Sequence, residues 1–458
     1  MKTKYKIIAI LGTTLGLAYA NAADFGALSI NADSKTFNPG DRVIESNQGS
    51  LTYLLDIRNG STVDISDLNG GIEIGFGSSD NPLNVKNGVA VYIYNGSNVN
   101  FGSGTTVNAY VDDIINMVGV QVVNSTFRVE KNLTIVMHGN STSIHGFSVS
   151  SGGYADLGQN AYINAPSRAI SIISNGSELV ATTASINAVG DVGMGVYINA
   201  GKATLYDSAI YGNMSGISFS NATAAAGTSA EVNIIGGTVK STVGAAIETK
   251  ITGGANQIVS VLNISGGAKV SSESGVLYNE RGAGGLLDQP GSLHINVEGA
   301  GTVVEGRVDN QIFSNFEFAV KDYAKWTSTG PSSMNKLVLD NANIEFTLTN
   351  MADAIIAGDM STSGMSDVVI DFSNDFLNDI TDGFVFDTNG VVIIGRGEKD
   401  NINYIVLGQN KEGSTWDAIN NGDGSYTINN INVVPEPSTY AVIFGVLALA
   451  LSVYRKRK

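Results

Sequence analysis

Cysteine is absent from the 458-residue chain, and proline, histidine and tryptophan are scarce, with 7, 3 and 2 residues. Without cysteine there is neither a disulfide framework nor a thiolate metal site, so packing and backbone hydrogen bonds must supply the stability. Charged residues make up only 15% of the chain, whereas glycine contributes 55 residues and hydrophobic residues 43%. This composition excludes a disordered stalk and is typical of elongated β proteins with many tight turns.

Charge is distributed unevenly along the chain. The formal net charge is −16. Lys2, Lys4 and Lys6 near the start and the four cations of Arg455–Lys458 at the end contribute +7, and removing them from the total leaves −23 for the residues between. An acidic body of this size repels nucleic acid and anionic lipid. We therefore expect no nucleic-acid partner.

Residues 1–22 have the layout of a secretory signal peptide. The three lysines are followed by an apolar run from Ile7 to about Leu17 and then by small residues. Ala20 and Ala22 form an A-x-A site, which predicts cleavage after Ala22, with cleavage after Ala20 as the second choice. The sequence therefore predicts export of the body by the secretion machinery.

Residues 434–458 fall into three parts. Two prolines stiffen the polar stretch 434–439, so no helix runs through it. Residues 440–454 carry no charge and are rich in apolar side chains, and four cations follow at once: Arg455, Lys456, Arg457 and Lys458. This is a stop-transfer arrangement, which predicts a terminal transmembrane helix with the cations on the cytoplasmic side. The apolar run is shorter than the ~20 residues of an ordinary span, so Ser438 and Thr439 would have to join the helix.

The order of these parts resembles the PEP-CTERM sorting signal of bacterial exported proteins. The motif is complete in residues Pro435, Glu436, Pro437, Ser438 and Thr439. The resemblance implies that an exosortase-type membrane protease recognises the tail, removes it, and releases or transfers the body to the cell surface or its matrix. It also implies that the motif residues serve sorting and not catalysis. An ordinary single-span tail anchor remains the alternative.

Residues 59–320 repeat a turn-like cluster, an alternating apolar segment, a glycine and a second apolar segment. The second segments begin 21 to 31 residues apart, at Gly88, Gly119, Gly146, Arg168, Gly195, Gly216, Gly244, Gly275 and Gly306. Alternation at period two predicts short strands, and no stretch keeps the 3.6-residue stripe of a helical solenoid. One coil cannot bury its inward side chains alone, but stacked coils can. The pattern therefore predicts an all-β fold, a right-handed parallel β-helix that is similar to autotransporter passenger and adhesin β-helices.

The flanking residues and the turns lead to further predictions. We interpret residues 23–58 as an N-terminal cap on the first coil. The strands of residues 321–433 are longer and more regular, which predicts a C-terminal β region that closes the open end of the helix. Asn175, Asn199 and Asn221 recur at intervals of 24 and 22 residues, which predicts a ladder of side-chain amides at one turn.

The sequence indicates no catalytic or metal site. Asp112 and Asp113 form the one acidic doublet of the repeats, and neighbours on a strand point to opposite faces, so they cannot share a site. Residues 421–424 favour a hairpin turn over a calcium loop. A metal site would need a third ligand beside the first two histidines, so exposed polar roles are expected for His138, His145 and His294. We predict a protein that is not an enzyme and needs no cofactor.

These features together favour an exported, surface-sorted structural or adhesin-like protein. A stiff acidic rod would contact surface glycan or matrix protein through tyrosine, asparagine and threonine side chains, such as those around Tyr92, Tyr197 and Tyr206. The alternative is a secreted β-helical polysaccharide lyase or glycoside hydrolase, whose charged residues would cluster on one flank of the rod. A third possibility is a passive filler of an extracellular matrix.

Overall fold

The computed structural model describes residues 22–430 apart from gaps at 46–51, 66–68, 81, 83–86, 112–115, 221–227, 252–257, 283–290, 311–314, 350–354, 374–375, 378–383, 388–392, 398–400, 407–415 and 424. Of the predicted signal peptide this includes Ala22 but not Ala20. Also outside the described residues are the sorting motif and the terminal cations, that is Pro435, Glu436, Pro437, Ser438, Thr439, Arg455, Lys456, Arg457 and Lys458. Within the described part of the chain, no helix has the length and apolar character needed to cross a membrane.

The chain is all-β, and most of its strands form three long parallel sheets, named A, B and C. Sheet A contains β1 (Asp24–Phe25), β4 (Arg42–Glu45), β7 (Glu73–Phe76), β10 (Thr106–Tyr110), β13 (Thr134–His138), β16 (Tyr162–Ala165), β19 (Ser185–Ala188), β22 (Ala209–Gly212), β25 (Thr238–Ser241), β28 (Lys269–Ser272), β31 (Val303–Glu305), β34 (Lys325–Ser328), β36 (Asn343–Leu348), β38 (Ser366–Phe372) and β41 (Ile402–Val406). Sheet B contains β2 (Leu28–Asn31), β5 (Tyr53–Arg58), β8 (Asn87–Tyr94), β11 (Asn116–Val123), β14 (Ile144–Ser150), β17 (Arg168–Ile173), β20 (Met194–Ile198), β23 (Ser215–Ser220), β26 (Ile247–Ile251), β29 (Val276–Gly282) and β32 (Arg307–Val308). Sheet C contains β3 (Ser34–Phe37), β6 (Thr62–Ile65), β9 (Asn98–Phe101), β12 (Thr126–Val129), β15 (Tyr154–Gln159), β18 (Glu178–Thr182), β21 (Gly201–Tyr206), β24 (Thr228–Ile235), β27 (Ile258–Ser265), β30 (Gly291–Glu298), β33 (Asn315–Lys321), β35 (Ser332–Asp340), β37 (Ile355–Ser363) and β40 (Ile393–Gly397).

The order of pairing traces a coil. Up to β31, each strand pairs with the strand three places further along the chain, so the chain passes through sheets A, B and C in turn and then repeats. This is the path of a parallel β-helix, and it agrees with the prediction from the repeats. The nine segments identified in the sequence mark the sheet B strands of successive coils, β8 to β32. Sheet A has 15 strands, and at a spacing of ~4.8 Å it is ~67 Å long.

A single apolar core runs along the inside of the coil. Because side chains alternate along a strand, every second one points inward. Val107, Ile135 and Ile163 take equivalent inward positions in three successive coils, and all three are fully buried. Aromatic rings follow the same rule, since Phe101 meets Phe127 edge-on with centroids 5.6 Å apart. Each coil therefore buries its apolar side chains against its two neighbours.

The residues predicted to form a separate cap, 23–58, instead build the first coils. Strands β1 to β5 pair in parallel within sheets A, B and C, because their side chains alternate like those of later coils. At the start of the helix, Lys35 takes an inward position in register with Val63. Its ammonium nitrogen lies 4.6 Å from the centre of the Phe25 ring. The charge of Lys35 therefore occupies the position against which the inward side chains of another coil, stacked before the first, would have to pack.

The helix also continues into residues 321–433, for which the sequence predicts a separate β region. Sheets A and C extend to β41 and β40, whereas sheet B ends at β32. Among the described residues, later coils therefore have two strands instead of three, and most of their strands are longer, which explains the change of pattern in the sequence. Among the described strands, β39 (Phe384–Asp387), β42 (Trp416–Asn420) and β43 (Ser425–Asn430) form a separate antiparallel sheet, with β42 and β43 joined as the predicted hairpin. This sheet packs on the end of the core, since Phe386 meets Phe372 edge-on at 5.3 Å.

Side-chain amides do form ladders, but not at the predicted positions. Ile172 pairs with Ile198, so Asn199 lies level with the residue after Ile172 and not with Asn175. Asn221 lies outside the described residues. The ladders instead link equivalent positions in successive coils, with Asn31, Asn59 and Asn95 in one and Asn233, Asn263 and Asn296 in another. A regular interval in the sequence does not ensure equal register, because the corners of the coils differ in length.

Candidate functional site

Long connections of the helix lie at the two borders of sheet B. In the first coils they lead from sheet A into sheet B, as in 46–52 and 77–86. In later coils they lead from sheet B into sheet C, as in 221–227 and 283–290. Connections from sheet C to sheet A are mostly short, for example 207–208. The connections that vary most in length therefore precede or follow strands of sheet B, which makes the outer face of this sheet the first candidate for a binding site.

Three tyrosine rings on this face form a group that we name the tyrosine platform. Tyr53 lies on β5, and Tyr92 and Tyr94 lie two residues apart on β8, which places both on the same side of the strand. The rings of Tyr53 and Tyr92 stack with centroids 4.6 Å apart and planes 8° apart, and Tyr92 stacks on Tyr94 at 4.7 Å. All three are half-buried. Burial, followed by the neighbouring Tyr53 and Tyr94, raises the pKa of Tyr92, so its hydroxyl stays protonated.

A buried ion pair lies beside the tyrosine platform. Asp56 and Arg58 of β5 form a salt bridge, and Asp56 is only 5% exposed. The hydroxyl of Ser29 lies 3.4 Å from Asp56 Oδ2, and the Arg58 guanidinium lies 5.4 Å from the centre of the Tyr94 ring. Within the described part of the chain, Asp56 Oδ1 and Arg58 Nε have no hydrogen-bond partner. The pair thus has one unused acceptor and one unused donor, and buried polar atoms without partners are uncommon.

Two adjoining cavities, of about 340 and about 350 Å³, lie over these residues. Both are lined by Thr52 and Tyr53, and together we name them the sheet B groove. The groove reaches from Ala27 before β2 to Ile173 on β17. It therefore crosses six strands of sheet B, a length of ~24 Å at ~4.8 Å per coil. This shape suits a chain-like ligand better than a compact one.

His145 of β14 lies towards the far end of the groove. This residue is paired in register with Arg168 of the next coil, whose guanidinium stacks 3.6 Å from the centre of the Tyr197 ring. Burial, and after it the positive charge of Arg168, lowers the pKa of His145 to about 3, so the imidazole is neutral at physiological pH. Arg168 is not among the residues that line the cavity. The end wall of the groove is therefore uncharged.

The structure separates some residues that the sequence groups together. Tyr92 and Tyr197 both lie on the outer face of sheet B, but Tyr197 is only 4% exposed. Tyr206 lies on sheet C and is 39% exposed, so the three predicted tyrosines do not form one site. The three histidines are half-buried and not exposed as expected. His138, for example, stacks on Tyr110 with ring centres 4.0 Å apart.

Sequence reasoning missed Tyr53, Asp56 and Arg58. Strict alternation along β5 would place Tyr53 and Asp56 on opposite faces, because they are three residues apart. Leu54 and Leu55 are both fully buried, however, so the strand bends there, and Tyr53 and Asp56 line the same cavity. An aspartate and an arginine at i and i+2 of an apolar strand were the available signal for a polar site.

Asp56 is the one carboxylate among the described residues that line the sheet B groove. Asp56 and Glu248 take outward positions on β5 and β26, which are seven strands apart, or ~34 Å. The paired carboxylates of glycosidases are ~5–10 Å apart. Asp112 and Asp113 lie outside the described residues. Among the residues that are described, no group of three or more His, Asp and Glu side chains could hold a metal ion.

No protein-family model matches the chain, and no curated protein matches it either. The functional argument therefore depends on the residues of this chain and their arrangement.

Proposed function

We propose that this protein is an exported, surface-sorted structural or adhesin-like protein. The observation that carries the proposal is the β-helix itself, a rod ~67 Å long with one continuous core and a groove on one face. Each coil is held by parallel hydrogen-bond ladders to its neighbours, so the rod keeps the groove in a fixed orientation. The coil is right-handed in this proposal, as almost all parallel connections are.

The two ends of the chain supply the route of delivery. A signal peptide over residues 1–22 leads to export, and the transmembrane helix within 434–458 holds the precursor in the membrane. An exosortase-type protease then removes the tail at the motif Pro435–Thr439, and the body reaches the cell surface or the extracellular matrix. The acidic body is compatible with this location, because it disfavours adsorption to nucleic acid and anionic lipid.

The groove supports binding more than catalysis. A polysaccharide lyase or glycoside hydrolase would need acid and base groups on both sides of one bond. Asp56 is the carboxylate that lines the groove, and it is already engaged with Arg58. A role as a passive matrix filler would not explain why an ion pair with unused polar atoms lines a cavity.

Fractionation of cells that express the full chain, beside cells that express residues 1–433, tests the proposal. We expect the full chain to yield a surface or matrix form that lacks Arg455–Lys458. We expect the shortened chain to appear in the medium without passing through the membrane fraction. A matched variant with Pro435→Ala and Pro437→Ala keeps the apolar segment, so it should stay in the membrane with its tail attached. External protein that still carries Lys458, or full-length protein that stays soluble in the cytoplasm, would contradict the proposal.

A further inference from the structure

We propose that the sheet B groove binds a neutral, hydroxyl-rich polysaccharide, with the free face of Tyr53 stacking on a sugar ring and the Asp56–Arg58 pair hydrogen-bonding to sugar hydroxyl groups. The inference deepens the proposed surface role and rests on it for the meeting of protein and ligand in the cell. The binding itself depends only on the geometry of the groove, so it can be measured apart from sorting.

The tyrosine platform fits the chemistry of a sugar ring. One side of a pyranose presents C–H groups with a small positive charge, whereas the face of an aromatic ring is negative. Tyr92 covers one face of Tyr53 and also stacks on Tyr94, so the position of the Tyr53 ring is fixed before a ligand arrives. No other described ring covers the second face of Tyr53, and this residue lines both cavities. A preorganised surface loses little conformational entropy on binding. When a tyrosine ring and a sugar ring are in contact through their apolar faces, the sugar hydroxyl groups lie at the rim of the contact.

The ion pair supplies partners for those hydroxyl groups. A hydroxyl both donates and accepts hydrogen bonds. The Asp56 carboxylate has an unused acceptor at Oδ1, and the Arg58 guanidinium has an unused donor at Nε. Neighbouring hydroxyl groups of one sugar offer the complementary donor and acceptor, and small adjustments of the two side chains would expose both atoms to the ligand. A polysaccharide thereby accounts for both unsatisfied atoms at once.

The lining of the groove selects a neutral ligand. Arg58 is the one cation among the described lining residues, and Asp56 neutralises it. The lowered pKa of His145 keeps the far end uncharged. The body between the two basic termini carries −23, since removal of their +7 from −16 leaves that value, so a polyanion would be repelled at long range. A peptide strand is not favoured either, because the groove lies on the face of sheet B and not along an edge with free backbone groups.

The test uses the full chain in mild detergent and titrates it with two sets of polysaccharides by calorimetry. Dextran, mannan and soluble β-glucan form the neutral set, and polygalacturonate and alginate form the acidic set. We expect binding within the neutral set and little within the acidic set. Tyr53→Ala should raise the dissociation constant ~tenfold, which corresponds to ~1.4 kcal/mol, whereas Tyr53→Phe should bind normally because the stacking face is kept.

Two further variants separate the roles of the groove residues from general effects on folding. Arg58→Lys keeps a positive partner for Asp56 but loses the guanidinium donor, so we expect weaker binding with an unchanged circular dichroism spectrum. Tyr206→Ala removes an exposed tyrosine of sheet C that lies outside the groove, and this variant should bind like the unchanged chain. The inference is wrong if the folded chain binds none of the neutral polysaccharides, prefers the acidic ones, or is weakened equally by Tyr206→Ala. Surface delivery in the fractionation experiment would then still stand, because it does not depend on the groove.

Discussion

Cleavage of the signal peptide after Ala22 would place a new positive charge against a buried carboxylate at the start of the helix. The backbone nitrogen of Ala23 donates to Asp41 Oδ1 at 2.7 Å, and Asp41 is only 2% exposed. The other oxygen, Oδ2, accepts from the backbone N–H of Asn38 at 2.8 Å. In the processed chain the Ala23 nitrogen becomes the α-ammonium group. Its bond to Asp41 is then charge-assisted on both sides and roughly twice as strong as a neutral one.

The substitution Asp41→Asn measures this contact. An amide keeps one acceptor oxygen but replaces the other by a donor, so one of the two hydrogen bonds is lost together with the negative charge. Hydrogen bonds to charged groups contribute ~1.5–3 kcal/mol. We therefore expect the opening free energy of the first coil to fall by ~1.5–3 kcal/mol, which is a ~10–150-fold loss of hydrogen-exchange protection. The loss should be confined to β1–β4, since contacts in a solenoid pass between neighbouring coils.

Hydrogen exchange followed by mass spectrometry on the processed protein is the assay. Asp64→Asn is the matched control, because Asp64 is a half-buried residue of β6 whose side chain has no hydrogen-bond partner among the described residues. Acetylation of the α-amino group of Ala23 keeps the N–H donor but removes its charge, so it should reproduce part of the effect of Asp41→Asn without changing any side chain. Equal protection of β1–β4 in the two asparagine variants would refute the reasoning, and so would a mature chain that begins at Asn21.

Three further predictions concern the rod. Asn263→Ala removes amide hydrogen bonds of 2.7 and 2.9 Å, so the free energy of unfolding measured by thermal denaturation should fall by ~1–3 kcal/mol. Asn100 lies on sheet C outside any ladder, so Asn100→Ala should lower the free energy of unfolding by less than ~0.5 kcal/mol. Equal losses in the two variants would contradict the stabilising role of the ladder. Lys35→Leu should cause end-to-end association in analytical ultracentrifugation, because the charge at the inward position is gone, and a strictly monomeric variant would disprove this role. The amide of Asn233 lowers the pKa of Glu231 below 4.5, so its stabilising contribution is present above pH 4.5 and is lost as the pH falls through the lowered pKa. Melting temperatures of the unchanged chain and Glu231→Gln should therefore converge in acid, and a constant difference would exclude the effect.

The repeat architecture could be predicted from the sequence because it depends on local alternation. Residues such as Val107, Ile135 and Ile163 recur at the same point of each repeat. Apolar residues that alternate with polar ones at a period of two indicate a β-strand. The number of sheets could not be predicted in the same way. Among the described strands, sheet B ends at β32. The sequence shows this change only as longer apolar segments after residue 320.

The candidate site was harder to predict because it depends on register between coils and on a bend within one strand. Tyr53 and Tyr92 are 39 residues apart in the chain, and their contact follows from the length of one corner. Asp56 reaches the face of Tyr53 only because Leu54 and Leu55 are both buried. Neither fact can be read from the periodicity. The delivery signals, by contrast, are local in sequence, and they stay predictions because they lie almost entirely outside the described residues.

The position of the groove along the rod is consistent with a display role. On the outer face of sheet B, the row that contains Tyr92 and Gln121 is half-buried, but its later members are almost fully buried, as in Ser171 and Ser218. Within this row the half-buried members therefore lie on β8 and β11, in the first part of the rod. The last described coils lie at the other end of a rod ~67 Å long, and the predicted sorting tail, residues 434–458, follows them in the sequence. A precursor anchored by that tail would hold its groove towards the end farther from the membrane, so binding would not have to wait for cleavage.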